Sequence, residues 1–287
     1  MSSPSSPSSP SSLPVPGPLV DVDWLAEHLD HPDLVVLDAG VGAHRDAELR
    51  IPGALAFDID GVMSDHTSPV PHTMPGPGHL TAHLRALGID DRSTVVAYDG
   101  AGVYSSARAW WMLRAMGFDR AAVLDGGLPA WTAAGHSVVP RAAEQQASPV
   151  GDFTASPRPE LIVDSAAVLR ALADDGAAVV DARSRERFTG AAAEPRPGLR
   201  GGHMPGAANL PFTDLQTDGR MRPAEELRPM FAAAADGRER LVFSCGSGVT
   251  ACVLALGADL AGYRDLAVYD GSWSEWGLPS ALPVEQG

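Results

Sequence analysis

A cysteine set between a short apolar run and a glycine-rich loop is the first place in this chain to look for chemistry. Residues 241–252 read LVFSCGSGVTAC. Leu241-Val242-Phe243 has the composition of a buried strand, which delivers Cys245 into a Gly-Ser-Gly loop ahead of a helical pattern from Val249 to Leu260. Glycines let the backbone curl and turn its N–H groups inward, and a helix N-terminus adds partial positive charge. Both favour an anion, so sulfur at Cys245 is expected as thiolate, the reactive form. A cysteine that only packs has no use for either glycine. The backbone amides of Gly246, Ser247, Gly248, Val249 and Thr250 are therefore candidate donors to one bound sulfur or to the oxygens of a small anion.

The neighbouring residues narrow the chemistry. No histidine adjoins Cys245 in sequence, so a protease-style pair has no local support. A cysteine phosphatase needs an arginine six places on, and that place is Ala251. A second group lies in residues 183–202, RSRERFTGAAAEPRPGLRGG, which hold Arg183, Arg185, Arg187, Arg196 and Arg200. Guanidinium suits two-pronged recognition of carboxylates, although each of these arginines can equally pair with an acidic neighbour. A third group is the polar loop bearing Asp58, Asp60 and His72. A histidine in such a loop is ordinarily exposed or structural, and only a place opposite the cysteine loop would give it a role. Cys252 reads as core filler, with a resolving thiol as the alternative, and Trp110 and Trp111 read as packing residues.

Composition sets outer limits. With 21 basic and 36 acidic side chains in 287 residues the net charge is −15, which disfavours nucleic acid and anionic membrane as general partners. An anionic substrate therefore requires a local basic pocket. Two cysteines make no disulfide framework and fit a reducing, cytoplasmic setting. No apolar run reaches membrane-spanning length. The first 18 residues, Ser/Pro-rich and without a signal-peptide pattern, read as a disordered tail.

The elements that must position these groups repeat. Helical spacing over Val22–Leu29 precedes a strand, Leu34–Leu37, that ends at Asp38. A helix over Leu80–Leu87, a strand Thr94–Ala97 ending at Tyr98-Asp99-Gly100, a helix Ser106–Met116 and a strand Ala121–Leu124 follow. In the second half Asp181 answers Asp38, and Met204-Pro205-Gly206-Ala207 answers Ile51-Pro52-Gly53-Ala54. Cys245 answers Asp99, and Val268-Tyr269-Asp270-Gly271 with Trp276 answers Val123-Leu124-Asp125-Gly126 with Trp131. Four matches in one order indicate a duplicated unit, with extra residues in the second copy between Arg183 and Met204. The predicted architecture is α/β: two tandem domains, residues 19–140 and 160–287, each a parallel sheet flanked by helices, joined by a linker over 141–159. Ligands of such sheets gather at the carboxyl ends of strands, where Cys245 lies. Asp99 in the nucleophile's place leaves the first domain non-catalytic, a wall for the second.

Taken together, IPGALAFDID, VVAYDG, SARAWWMLRAMGF, VLDGGLPAW, EPRPGLRGGHMPGAANLPF, CGSGVTAC and VYDGSWSEWG resemble the two-domain rhodanese sulfurtransferases from about Val20 onward. The resemblance implies tandem rhodanese-like domains with catalysis in the C-terminal one, and a Cys245 that cycles through a persulfide. It implies no metal or organic cofactor. The loop CGSGVT is similar to that of the 3-mercaptopyruvate sulfurtransferases, whereas thiosulfate-preferring members carry basic residues there. In that subgroup two arginines hold the substrate carboxylate and carbonyl, and their pattern is matched by Arg187-Phe188 and Glu194-Pro195-Arg196. A Ser–His–Asp set described for the subgroup falls on Ser247, His72 and Asp60, with Asp58 as the rival for the last place. The implied partners are a small anionic sulfur donor and a thiol acceptor such as a thioredoxin-like protein, or cyanide. Thiosulfate as main donor, or a persulfide carrier with little turnover of its own, are the alternatives.

Overall fold

The protein, as a computed structural model, is described over residues 13–143 and 149–287. The first sheet contains β1 (Leu19–Val20), β2 (Leu34–Asp38), β3 (Leu55–Ala56), β4 (Thr94–Tyr98) and β5 (Ala121–Leu124), in the order β1-β5-β4-β2-β3 with every pairing parallel. The second contains β6 (Ile162–Val163), β7 (Ala177–Asp181), β8 (Ala208–Asn209), β9 (Arg240–Ser244) and β10 (Leu266–Tyr269). Its order, β6-β10-β9-β7-β8, repeats the first strand for strand, again all parallel. The duplication seen in the four sequence matches is thus a duplication of topology.

Helices cover both faces. The first domain carries α1 (Val22–His28), α2 (Pro77–Ala86), α3 (Ser106–Ala115) and α4 (Gly127–Ala133). The second carries α5 (Ser165–Leu172), α6 (Arg185–Thr189), α7 (Ala224–Ala235), α8 (Ala251–Ala261) and α9 (Ser272–Trp276). Strand side chains alternate between faces. Val36, Val96 and Tyr98 join an outer cluster with Leu25 and Trp131, while Leu37, Val95 and Ala97 turn inward. In the second domain Val179 and Val242 face outward with Trp273 and Trp276, while Val180, Leu241 and Phe243 face inward. The two inward faces do not form two cores. They merge into one cluster, because α3 and α8 pack against each other and are buried along almost their whole length. A helix that is apolar on every side belongs between layers, and the small and aromatic residues of SARAWWMLRA and ACVLALGADLA meet that demand. Trp110 and Trp111 are buried there, as expected from the sequence.

Several boundaries shift. The helix after the cysteine loop begins at Ala251, with Val249 and Thr250 in a turn, and the helix expected over 80–87 starts at Pro77, whose fixed φ suits a first helical position. Of the expected tail, residues 1–12 lie outside the described residues, but Leu13 is buried. Its carbonyl accepts from the Thr94 hydroxyl and from Arg120, so residues 13–18 lie against the first domain. Of the expected linker, residues 144–148 lie outside the described residues. From Gly151 to Arg158 the chain is hydrogen-bonded to the C-terminal ends of α2 and α3, and Phe153 is buried against Phe118. No helix among the described residues is long and apolar enough to cross a membrane.

A shared core predicts shared unfolding. Trp111→Ala should remove about 3–5 kcal/mol. Denaturant unfolding followed by secondary structure and by tryptophan fluorescence should give one coincident transition, displaced together in the variant.

Candidate active site

Strand β9 ends at Ser244, and Cys245 begins the loop at the carboxyl end of the sheet, only 1 % exposed. The loop is held from behind. The Cys245 N–H donates to the Ser272 hydroxyl at 3.1 Å, the Cys245 carbonyl accepts from the Trp273 N–H at 2.9 Å, and the Gly246 carbonyl accepts from both the N–H and the hydroxyl of Ser274. With the carbonyls directed to α9, the N–H groups of residues 246–250 donate to no protein acceptor among the described residues. Gly248 lies at φ +77°, and a Cβ there would stand 2.8 Å from the Asp270 carbonyl, so this turn admits glycine alone.

The first domain supplies a control for this geometry. Aligned on Asp99 and Cys245, GAGVY of residues 100–104 matches GSGVT of residues 246–250 without a gap. Asp99 accepts from the N–H groups of Ala101, Tyr104 and Ser106 at 2.8–2.9 Å and from the Ser106 hydroxyl at 2.7 Å. One copy of the loop therefore encloses a carboxylate of its own, and the other leaves its amides to a ligand or to the sulfur of Cys245.

A cavity of about 180 Å³ opens over Cys245, lined by Gly246, Ser247, Val249, Thr250, Arg187, Pro195 and Arg196 from the second domain and by Val41, His72 and Tyr104 from the first. The loop 183–202 divides its arginines between two tasks. Arg183 is fully buried, paired with Asp181 and Glu194, and stacked 3.9 Å over the Trp273 ring. Arg200 donates to the carbonyls of Trp276, Gly277 and Leu282, and Arg185 pairs with Asp214. These three are structural. Arg187 belongs to α6, which Ser184 caps and Gly190 terminates in the left-handed region. Its guanidinium lies over Gly246 and shares Glu194 with Arg183. Arg196 has no hydrogen-bond or ion-pair partner among the described residues.

His72 comes into the site from the first domain. Its Nδ1 lies 2.8 Å from the Ser247 hydroxyl and its Nε2 lies 2.9 Å from Asp60, whose other oxygen accepts from the Gly42 N–H. Because Asp60 only accepts, Nε2 carries the proton and Nδ1 accepts from Ser247. Burial, aided by the charges of Arg196 and Arg108, holds the His72 pKa below its ordinary value against the opposing effect of Asp60. The ring is thus neutral at pH 7. Asp58, the rival for the third place, is instead bound by Arg45 at 2.6 and 2.8 Å. Cys252 is fully buried; its thiol donates to the Gly248 carbonyl and burial pushes its pKa up to about 12. It remains a thiol.

Val41, Tyr104 and Glu194 complete the site without having been singled out as site residues. Tyr104 occupies the place of Thr250 in the duplicated loop, so internal alignment held a signal for it. Burial, followed by the charge of Cys245, raises its pKa, and the phenol stays protonated.

Comparison with known proteins agrees with this architecture. The Rhodanese-like domain family matches residues 21–134 and 165–278. The chain belongs to the rhodanese family. It is 39 % identical over 276 residues to a 3-mercaptopyruvate sulfurtransferase of Escherichia coli K12, covering 93 % of this chain and 97 % of that protein. It is 41 % identical over 274 residues to a rat protein of the same name, covering 90 % and 91 %. A thiosulfate/3-mercaptopyruvate sulfurtransferase of Arabidopsis thaliana is 38 % identical over 306 residues, covering 96 % of this chain and 80 % of its own. Among solved structures, the 3-mercaptopyruvate sulfotransferase SseA from Escherichia coli superposes with a TM-score of 0.79 at 36 % identity, covering 90 % of this chain and all of that one.

The protonation state of Cys252 makes a simple prediction. Cys252→Ala should retain sulfur loading at Cys245, measured by intact mass after one turnover, and should leave the rate of loading within about twofold.

Proposed function

We propose that this rhodanese-family protein is a sulfurtransferase that takes sulfur from 3-mercaptopyruvate onto Cys245 and passes it to a thiol acceptor or cyanide. The observation that carries this is the pairing, in one small cavity, of a cysteine among unaccepted amides with the unpartnered guanidinium of Arg196. The relatives named 3-mercaptopyruvate sulfurtransferase, near 40 % identity over most of the chain, support the same donor.

Arg196 and Arg187 would bind the carboxylate and carbonyl of the donor, directing its sulfur toward Cys245. The Cys245 thiolate attacks that sulfur, and a Cys245 S–S bond forms as the donor's carbon–sulfur bond breaks. The electron pair stays on carbon as the enolate of pyruvate, whose developing charge the two guanidinium groups favour. A proton relayed through Ser247, hydrogen-bonded to His72 and through it to Asp60, converts the enolate to pyruvate. The persulfide rests on the loop amides until an acceptor thiolate, as of a thioredoxin-like protein, attacks the outer sulfur and regenerates Cys245. Two free, buried thiols and the absence of a disulfide among the described residues support a reducing, cytoplasmic setting.

Intact-mass analysis after one turnover with 3-mercaptopyruvate should find one added sulfur, lost in Cys245→Ala; a protein that gains none, or keeps it without Cys245, sinks the mechanism. Thiosulfate is the competing donor, favoured by the name of the Arabidopsis relative. Comparing kcat/KM for the two donors decides between them, and Arg187→Ala should harm mercaptopyruvate far more than thiosulfate. Because Glu194 already neutralises part of Arg187, Arg196→Ala should be the more damaging change, by about 100-fold in kcat/KM.

A further inference from the structure

Arg108 enters the catalytic region from the other domain. It sits on α3, with its side chain 0 % exposed, yet only Nη2 has acceptors: the His72 carbonyl at 2.8 Å and Asp270 at 2.6 Å. Its Nε and Nη1 make no hydrogen bond to an oxygen or nitrogen acceptor among the described residues, and the guanidinium also borders the Cys252 thiol. Nη1 lies 3.4 Å from where a Cβ of Gly248 would stand, so the guanidinium underlies the turn of the cysteine loop. Asp270 in turn accepts from the Met74 N–H at 2.7 Å. The segment 72–74 is therefore gripped twice, at the carbonyl of His72 by Arg108 and at the amide of Met74 by Asp270. Just before the first of those grips His72 adopts φ +61°, a left-handed conformation uncommon for a non-glycine residue.

The duplication supplies the comparison. Asp125, the counterpart of Asp270, accepts from the Met221 N–H at 2.9 Å, so each domain holds a loop of the other in the same way. Arg108 stands nine places beyond Asp99, and the residue nine places beyond Cys245 is Leu254. The equivalent helix position of the second domain, on α8, is thus filled by an apolar residue. A buried arginine with two unsatisfied donors is a poor way to stabilise a core, since an ion pair of this kind is often replaced by apolar groups without loss. It occurs in the copy of the helix that faces the catalytic loop.

We infer that Arg108, paired with Asp270, is a positioning residue that holds the His72 backbone so that its ring meets Ser247 beneath the cysteine loop. This rests on the proposed part of Ser247, His72 and Asp60 in the proton relay. Arg108 touches no substrate; its effect passes through His72. The donor-binding arginines are on other elements, so its loss should fall on kcat rather than on KM for mercaptopyruvate.

The test is a double-mutant cycle in the full-length protein with 3-mercaptopyruvate, following single-turnover release of pyruvate and steady-state KM. The variants are Arg108→Lys, Arg108→Met, His72→Ala and the two combinations. Lysine keeps a cation beside Asp270, but one ammonium does not reproduce the fork that reaches the carbonyl as well. The expected result is a loss of about tenfold for Arg108→Lys and about 100-fold for Arg108→Met, with KM little changed. In the His72→Ala background each should reduce the rate by less than about twofold, because the group it positions is gone. Equal losses in both backgrounds overturn the positioning role while leaving that of His72 intact. A His72→Ala protein with undiminished rate overturns the relay itself. If Arg108→Met does not fold, Asp270→Asn replaces it in the cycle, with the same expectation and the same overturning result.

Discussion

The packing of α3 against α8 is the constraint on which the site depends. Cys245, Ser247, Arg187 and Arg196 come from one domain, and His72, Asp60, Val41 and Tyr104 from the other. The 2.8 Å contact of His72 with Ser247 across that divide survives only if the domains do not move against each other. A single apolar cluster spanning both sheets provides that rigidity, since close-packed interiors deform little. The polar contacts are arranged on this base and do not create it.

Much of the fold was legible in the sequence because its signals are local. Strands of Val, Leu and Ala running into aspartate or cysteine, and helices stopped by Gly88 and Gly117, mark their own ends. The duplicated order then implied the paired sheets. What local patterns did not carry was the meaning of the intervening segment. Residues 149–159 look like a linker by composition, but Phe153 finds a buried place against Phe118, and such a partner is invisible from either residue alone. The early edge of the chain was misjudged for the same reason. Leu13 follows a Ser/Pro run, and only the distant Thr94 and Arg120 explain why it is held.

At the site, residue types were readable and partnerships were not. The loop 183–202 offers five arginines of equal appearance. Asp181, Glu194 and the Trp273 ring take up Arg183, backbone carbonyls take up Arg200, Asp214 takes up Arg185, and only Arg187 and Arg196 face the cavity. Between Asp58 and Asp60 the contacts likewise depend on a third party, Arg45, which binds the first and leaves the second to His72. Arg108 had no signal at all, because an arginine within SARAWWMLRA reads as an ordinary helix residue until its fold-mates are known. A strongly acidic protein thus keeps one unpartnered guanidinium, that of Arg196, beside Cys245, while Arg183, Arg185 and Arg200 of the same loop are committed elsewhere.

Asp99 gives the paired loops a further meaning. Its carboxylate is bonded to the chain and accepts from the amides of Ala101, Tyr104 and Ser106 without any ligand. The Cys245 loop has the same backbone plan, and under the proposed mechanism it would hold its anion only for part of a reaction cycle. Each polypeptide therefore contains two versions of one receptacle, one permanently filled and one refillable. The filled version fixes the shape of a wall, and the proposed chemistry would then carry a single sulfur atom per chain.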